Sequence, residues 1–236
     1  MATRYLYVMG AGSGAGKSTV CQGILAQLLS TGLSPEQLAY IKPVTQCIAK
    51  QPVAEFCKQN GITCRDIGSL VFRKGFSRNF IDGLTPDSGA LLNEVLASVL
   101  DIDKDKALVV IDGVGDPSVG SVVGVSNVDV ALSLLCKVIF VGKPGIGSAI
   151  DNTVLCVAFM QAKGLKNIGI IYNNIPLDML TEMSRYVSKR LPECLPDITL
   201  LGFVPKQTVN TADNWGQWFA MYLDNKAFYD WLGVPG

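Results

Sequence analysis

Short apolar runs alternate along the chain with stretches in which apolar residues return every three or four positions. Residues 5–9, 39–41, 108–111, 137–141, 168–172 and 199–203 are nearly continuous in apolar side chains, as strands buried on both faces are. Residues 17–30, 52–60, 88–100, 148–163 and 178–190 show helical spacing. Thr31-Gly32 ends the first of these helices, and Gly61 suits the C-terminal cap of the second. Residues 64–87 follow neither period and read as irregular. The alternation predicts an α/β fold with a doubly wound, mostly parallel sheet between two helical layers. In such sheets ligands bind beyond the carboxyl ends of the strands, so the polar residues that follow each run are the first place to look for chemistry.

Composition sharpens this picture. Nearly half the residues (49%) are apolar and 17% are charged, which is enough for a core on both faces of a sheet. The length of 236 residues suits a single domain over 1–236, with no repeat, low-complexity tract or linker inside it. Lys plus Arg equals Asp plus Glu at 20 each, which removes the electrostatic case for a nucleic-acid or anionic-membrane partner. No apolar run reaches the roughly 18–20 uninterrupted residues that span a bilayer; Lys137, for example, interrupts residues 130–141. The opening residues run straight into a strand and lack a signal-peptide layout, so a cytoplasmic protein is expected.

Two residue types bound the chemistry. The seven cysteines (21, 47, 57, 64, 136, 156 and 194) are scattered without a Cys-x-x-Cys pair, which speaks against a disulfide framework and a structural zinc site. They are expected mostly as small buried apolar residues. The sequence contains no histidine, so any catalysis must use lysines, carboxylates, hydroxyls, backbone amides and a bound metal.

The first strand leads into Gly10-Ala-Gly-Ser-Gly-Ala-Gly-Lys17-Ser18-Thr19, and a helix follows. Strand, glycine loop and helix in that order form a phosphate-binding loop, here of the P-loop NTPase kind. Glycines let successive N–H groups face phosphate oxygens, and the helix start adds further N–H groups and the positive end of its dipole. Gly12, Ser13, Gly14, Ala15, Gly16, Lys17, Ser18 and Thr19 are therefore the expected nucleotide contacts. Lys17 is placed to bridge β- and γ-phosphates and Ser18 to hold Mg²⁺, which makes MgATP the expected ligand. The loop is one residue longer than the common form, with five residues between Gly10 and Gly16.

Asp112 follows the apolar run 108–111 directly and precedes Gly113-Val-Gly115-Asp116. A carboxylate at such a strand end can hold Mg²⁺; Asp-Gly is also a plain turn. Gly147 and Ser148 open a helix, with Ser148 and Asp151 spaced as a capping box. Trp215, Trp218, Phe219 and Tyr222 form a helical stripe that reads as core or subunit packing. Arg73, Lys74 and Arg78 read as a solvated loop, with a lid or an anionic-substrate contact as the alternative.

Four of these stretches, in order, make the chain resemble dethiobiotin synthetase and its wider ATP-dependent synthetase family, which includes the cobyrinic and cobyric acid amide synthetases. They are the longer glycine loop, Tyr40-Ile-Lys42-Pro43-Val44, Asp112-Gly-Val-Gly115, and Tyr172-Asn173-Asn174 with Gly202-Phe-Val-Pro205. The resemblance implies a homodimer that turns a diamine, CO₂ and ATP into a cyclic urea through a carbamate and a carbamic–phosphoric anhydride. It implies that Lys17 and Lys42 are catalytic, that Ser18 and Asp112 bind the metal, and that Asn173 and Pro205 lie at the adenine. Lys42, Thr45, Gly147 and Ser148 would meet a small-molecule substrate, the last two across the dimer interface. The chain departs from that pattern at Gly12, Gln46 and Cys47, and by having no Asp in residues 48–61, where Glu55 is the lone carboxylate. Those departures keep two other readings open: an amide synthetase module working with a separate glutaminase, and a nucleotide-binding regulatory or assembly module without catalysis.

Overall fold

The computed structural model describes residues 3–46, 51–207 and 215–234; Cys47 lies outside them. The strands in chain order are β1 (Arg4–Gly10), β2 (Leu38–Ile41), β3 (Val44–Thr45), β4 (Thr63–Arg65), β5 (Leu70–Val71), β6 (Leu108–Asp112), β7 (Lys137–Gly142), β8 (Ile168–Ile175) and β9 (Thr199–Pro205). The helices are α1 (Lys17–Ser30), α2 (Pro52–Gln59), α3 (Phe76–Ile81), α4 (Ser88–Leu100), α5 (Asn127–Ser133), α6 (Gly147–Ala162), α7 (Leu177–Cys194), α8 (Trp215–Ala220) and α9 (Asn225–Leu232). Seven strands form one parallel sheet in the order β4-β2-β6-β1-β7-β8-β9, and β3 pairs with β5 in a separate two-stranded ladder.

The period of two along each strand sorts the core into two halves. From β1, Leu6 and Val8 join one cluster while Tyr7 and Met9 join the other; from β6, Leu108 and Val110 part from Val109 and Ile111 in the same way. The first half is covered by Ile24 and Leu28 of α1, Cys57 of α2, Phe219 of α8 and Phe228 of α9. The second is covered by Val95 of α4, Val128 of α5, Val157 of α6 and Val187 of α7. Helices thus lie on both faces, and the doubly wound α/β sheet expected from the alternation is the observed architecture.

The tryptophan stripe resolves to packing within the chain. Phe219 is fully buried against Gly23 of α1, where even a Cβ would approach its ring to 2.5 Å. Trp215 and Trp218 stack at 5.0 Å, and Tyr222 meets Trp218 edge-on at 5.1 Å.

Residues 64–87 are more regular than expected, since they contain β5 and the short helix α3. The expected capping box at Ser148 is not formed. Ile146 already has helix-like backbone (φ −106°, ψ −76°), so α6 starts at Gly147 and Ser148 falls inside its first turn, with no side-chain cap. Of the six described cysteines, Cys21, Cys57 and Cys136 are buried, Cys64, Cys156 and Cys194 are half-buried, and all are free thiols. Among the described residues no helix is long and apolar enough to cross a membrane.

Candidate functional site

β1 is the central strand, with β6 on one side and β7 on the other, and the glycine loop leaves its carboxyl end. Gly12, Gly14 and Gly16 take φ of 84°, 78° and 81°, a left-handed path that side chains other than glycine rarely follow. At Gly16 a Cβ would also collide with the amide of Asn173. Ala15 faces inward and is buried. The loop is braced from behind: the Asn173 amide donates to the carbonyls of Ala15 (3.1 Å) and Gly16 (3.3 Å), and that of Asn174 donates to Gly14 (3.2 Å). α1 begins at Lys17 with no capping side chain and no acidic residue in its first turn, which leaves its N–H groups and dipole to an anion.

Under the loop lies a cluster centred on Asp112, the last residue of β6. Its carboxylate is fully buried. One oxygen accepts from the Ser18 hydroxyl (2.6 Å), the Tyr40 phenol (2.8 Å) and the Lys42 ammonium (2.9 Å). The other oxygen has no hydrogen-bond partner. Burial first, and then the Asp112 carboxylate, push the Tyr40 phenol well above its ordinary pKa, so that it stays a donor. Lys17 arches over the loop to the Gly12 carbonyl at 3.2 Å. Burial depresses its pKa; the Asp112 carboxylate opposes that shift, and the Lys42 and Lys143 ammoniums add to it.

This donor set fits Mg²⁺ in one particular way. Mg²⁺ usually keeps several waters and takes one or two carboxylates together with substrate phosphates. The buried orphan oxygen of Asp112 and the neighbouring Ser18 hydroxyl offer that minimum. Among the described residues no group of three or more acidic or cysteine side chains stands ready to hold a metal alone.

A cavity of about 380 Å³ opens above the cluster, and its wall joins Ser13, Gly14, Gly16, Lys17, Ser18 and Thr19 to Lys42, Thr45 and the Gly113–Gly115 segment. Gly12 faces a neighbouring cavity that also includes Asp116. Asp116 itself accepts from the backbone N–H and hydroxyl of Ser118 at 2.9 and 2.6 Å, which is its role in the turn. Asn173 lies behind the loop. Pro205, at the end of β9, is buried beside Ile175. Gly147 and Ser148 are exposed at the start of α6 and do not line the cavity.

Four contributors were given no role from sequence: Tyr40, Asn127, Asn174 and Gln51, the last of which also lines the cavity of about 380 Å³. Tyr40 lies two residues before Lys42, so the strand period already placed it on the same face. Asn127 had no such signal. Its side chain accepts from the Tyr7 phenol (2.9 Å) and the Val114 N–H (3.1 Å), and donates to the carbonyls of Val114 (2.7 Å) and Asp116 (2.5 Å). It thereby fixes the segment that follows Asp112. Asn127→Leu keeps the volume and strands those buried donors, so it is expected to cost about 2–4 kcal/mol in chemical denaturation. A loss below about 0.5 kcal/mol would show that water replaces the network.

The AAA domain family AAA_26 matches residues 4–213 of the chain. No curated protein matches it in sequence. Among solved structures it is similar to cobyrinic acid a,c-diamide synthase from Mycobacterium smegmatis with bound ADP and magnesium, at 16% identity and a TM-score of 0.58 over 93% of each chain. It is similar to the MinD cell division protein of Aquifex aeolicus, at 12% identity and a TM-score of 0.57 over 98% of this chain and 95% of that one. The signal recognition particle receptor FtsY from Elizabethkingia anophelis, in complex with GDP, has 12% identity and a TM-score of 0.54 over 93% of this chain and 64% of its own. At such identities the likeness is one of fold, the P-loop NTPase fold. With the family match covering most of its length, the chain belongs to the AAA_26 family of AAA domains.

Proposed function

We propose that this chain is an ATP- and Mg²⁺-dependent ligase of the dethiobiotin synthetase type, which activates a carbamate or carboxylate by phosphoryl transfer and then forms a C–N bond. The observation that carries the reading is a second lysine, Lys42, held by Asp112 on the wall of the cavity that the glycine loop also lines. A nucleotide-binding module needs Lys17; it has no evident need for Lys42. The bound ADP and magnesium of the M. smegmatis synthase lend support on the same fold.

In this reading the N–H groups of the glycine loop hold the phosphates, and Lys17 turns from the Gly12 carbonyl to the β- and γ-phosphates. Ser18 and Asp112 would hold Mg²⁺, which supplies charge neutralisation on the phosphate oxygens. Lys42 orients the acceptor and stabilises negative charge on the transferring phosphoryl group. The acceptor's carboxylate oxygen attacks the γ-phosphorus and ADP leaves. An amine nitrogen then attacks the activated carbon, and inorganic phosphate leaves with the bonding pair. Thr45 lies beside Lys42 to meet the substrate. Asn173 and Pro205 mark the adenine end, and Gly147 and Ser148 would complete the substrate site in a homodimer. The acceptor is a small molecule, neither nucleic acid nor membrane, and the chain acts as one cytoplasmic domain.

A second reading, a nucleotide-dependent assembly module, draws on the pairing of Asp112 with Lys42, which already neutralises the carboxylate that a metal would need. Acceptor-dependent ADP release separates the two. Incubation of MgATP with bicarbonate and diamines, or with carboxylates and ammonia, is expected to release ADP only when an acceptor is present. Lys42→Met is expected to slow that release by about 100-fold or more with ATP affinity intact. Tight ATP binding with no acceptor-dependent release would instead establish the assembly module. Rescue by an added glutaminase together with glutamine, in place of ammonia, would mark the amide synthetase variant.

A further inference from the structure

A second cavity, of about 290 Å³, adjoins the phosphate cavity through Gln46, which lines both. Its wall includes Arg73 and Arg78 together with Phe72, which precedes Arg73, and Phe76, which lies between the two arginines in sequence. Both arginines are exposed, and among the described residues neither forms an ion pair, although Arg65 and Arg190 each have a carboxylate partner. Two guanidinium groups on one concave wall repel each other until an anion lies between them. Their planar forks suit the oxygens of a carboxylate or phosphate. The rings of Phe72 and Phe76, 5.5 Å apart and tilted by 51°, give the same cavity an apolar side.

We propose that this cavity binds a second anionic group, a carboxylate or phosphate on a short hydrocarbon stem, belonging to the acceptor whose first carboxylate meets Lys42. The inference rests on Lys42 activating that acceptor, and it narrows the substrate from carboxylates in general to dianions. A diamine without an acidic group is disfavoured here, because its ammoniums would face Arg73 and Arg78. Phe72 and Phe76 would cover the stem, and Gln46, at the junction, would lie alongside it.

The test is titration calorimetry on the full chain saturated with MgADP, using succinate, glutarate, adipate and 3-phosphonopropionate, with butyrate as the monoanionic control. At least one dianion is expected to bind about tenfold or more tightly than butyrate. Arg73→Gln with Arg78→Gln should bring that dianion to within about threefold of butyrate while leaving MgADP affinity unchanged. Arg185→Gln with Lys189→Gln removes the same charge from the exposed face of α7 and should leave the dianion preference intact. A preference for 3-phosphonopropionate over succinate identifies the distal group as phosphate, and the reverse identifies it as carboxylate. Equal binding of all dianions and butyrate overturns the proposal, and so does a preference that survives the double arginine substitution. Failure of MgADP to bind at all refutes the proposed function instead, and the same dianion titration without nucleotide still reads the arginine cavity.

Discussion

Lys17→Met is expected to weaken MgATP binding by more than tenfold and to raise thermal stability in the same protein. The first effect is the loss of a charge-assisted phosphate contact, about 1.5–3 kcal/mol. The second follows from where the ammonium resides. Lys17 is 9% exposed, its pKa is depressed by burial, and the ammoniums of Lys42 and Lys143 add repulsion. Its ammonium donates to a neutral backbone carbonyl, that of Gly12, at 3.2 Å. Methionine keeps the stem's packing and removes the buried charge, which should stabilise the fold by about 0.5–2 kcal/mol. Calorimetric titration and a thermal melt on one sample check both effects. A melt that falls together with binding would mean that Lys17 supports the fold, and its assignment as a ligand group would then fail.

Asp112→Asn is expected to act with the opposite sign on stability. The carboxylate is the common acceptor for Ser18, Tyr40 and Lys42. An asparagine oxygen can still accept, yet its NH₂ group takes the place of an oxygen that is buried without partners. It also leaves Lys42 without its counter-charge. Removing one member of a fully buried ion pair costs about 3–5 kcal/mol. The Lys42 side chain is 11% exposed to the cavity, so water relieves part of that, and about 1–3 kcal/mol is expected. The larger effect is on the metal: Mg²⁺ should no longer strengthen ATP binding, and acceptor-dependent turnover should fall by about 100-fold or more. ATP titrations with and without Mg²⁺ measure this directly. An Mg²⁺ dependence identical to that of the native chain would move the metal site away from Asp112.

Sequence made the central strands and the glycine loop plain, because both are local. β1, β6, β7 and β8 are buried on both faces and so read as unbroken apolar runs. β3 and β5 have two residues each, too few for any period to register. Helix starts show how a correct pattern can mislead. Ser126-Asn-Val-Asp129 and Ser148-Ala-Ile-Asp151 share the same spacing, and only the first forms a capping box. Ser126 has extended backbone (φ −71°, ψ 161°), as a cap requires, whereas the chain before Ser148 has already turned helical. β8 runs past its expected end at Asn173 through an irregularity: Asn174 adopts φ of 59°, which asparagine tolerates, and pairing resumes between Ile175 and Pro205.

The Asp112 cluster was legible as separate residues and not as a cluster. Lys42 and Asp112 meet because β2 lies beside β6, and the alternation of elements does not specify strand order. Asn127 is harder still: as the first residue of α5 it looks like an ordinary helix start, and only the folded chain turns it toward Tyr7 and Val114.

The position of β1 has a consequence for how the protein is made. Its partners β6 and β7 pair Val8 with Asp112 and Ile139, both more than about 100 residues later in synthesis. At about 5–20 residues per second, an almost wholly apolar strand waits roughly 5–20 s on the ribosome for its first strand partner. The glycine loop waits longer, since Asn173 and Asn174 brace it from β8. Nucleotide can therefore stabilise the growing chain only after β8 has been made, and it gives β1 no shelter before then.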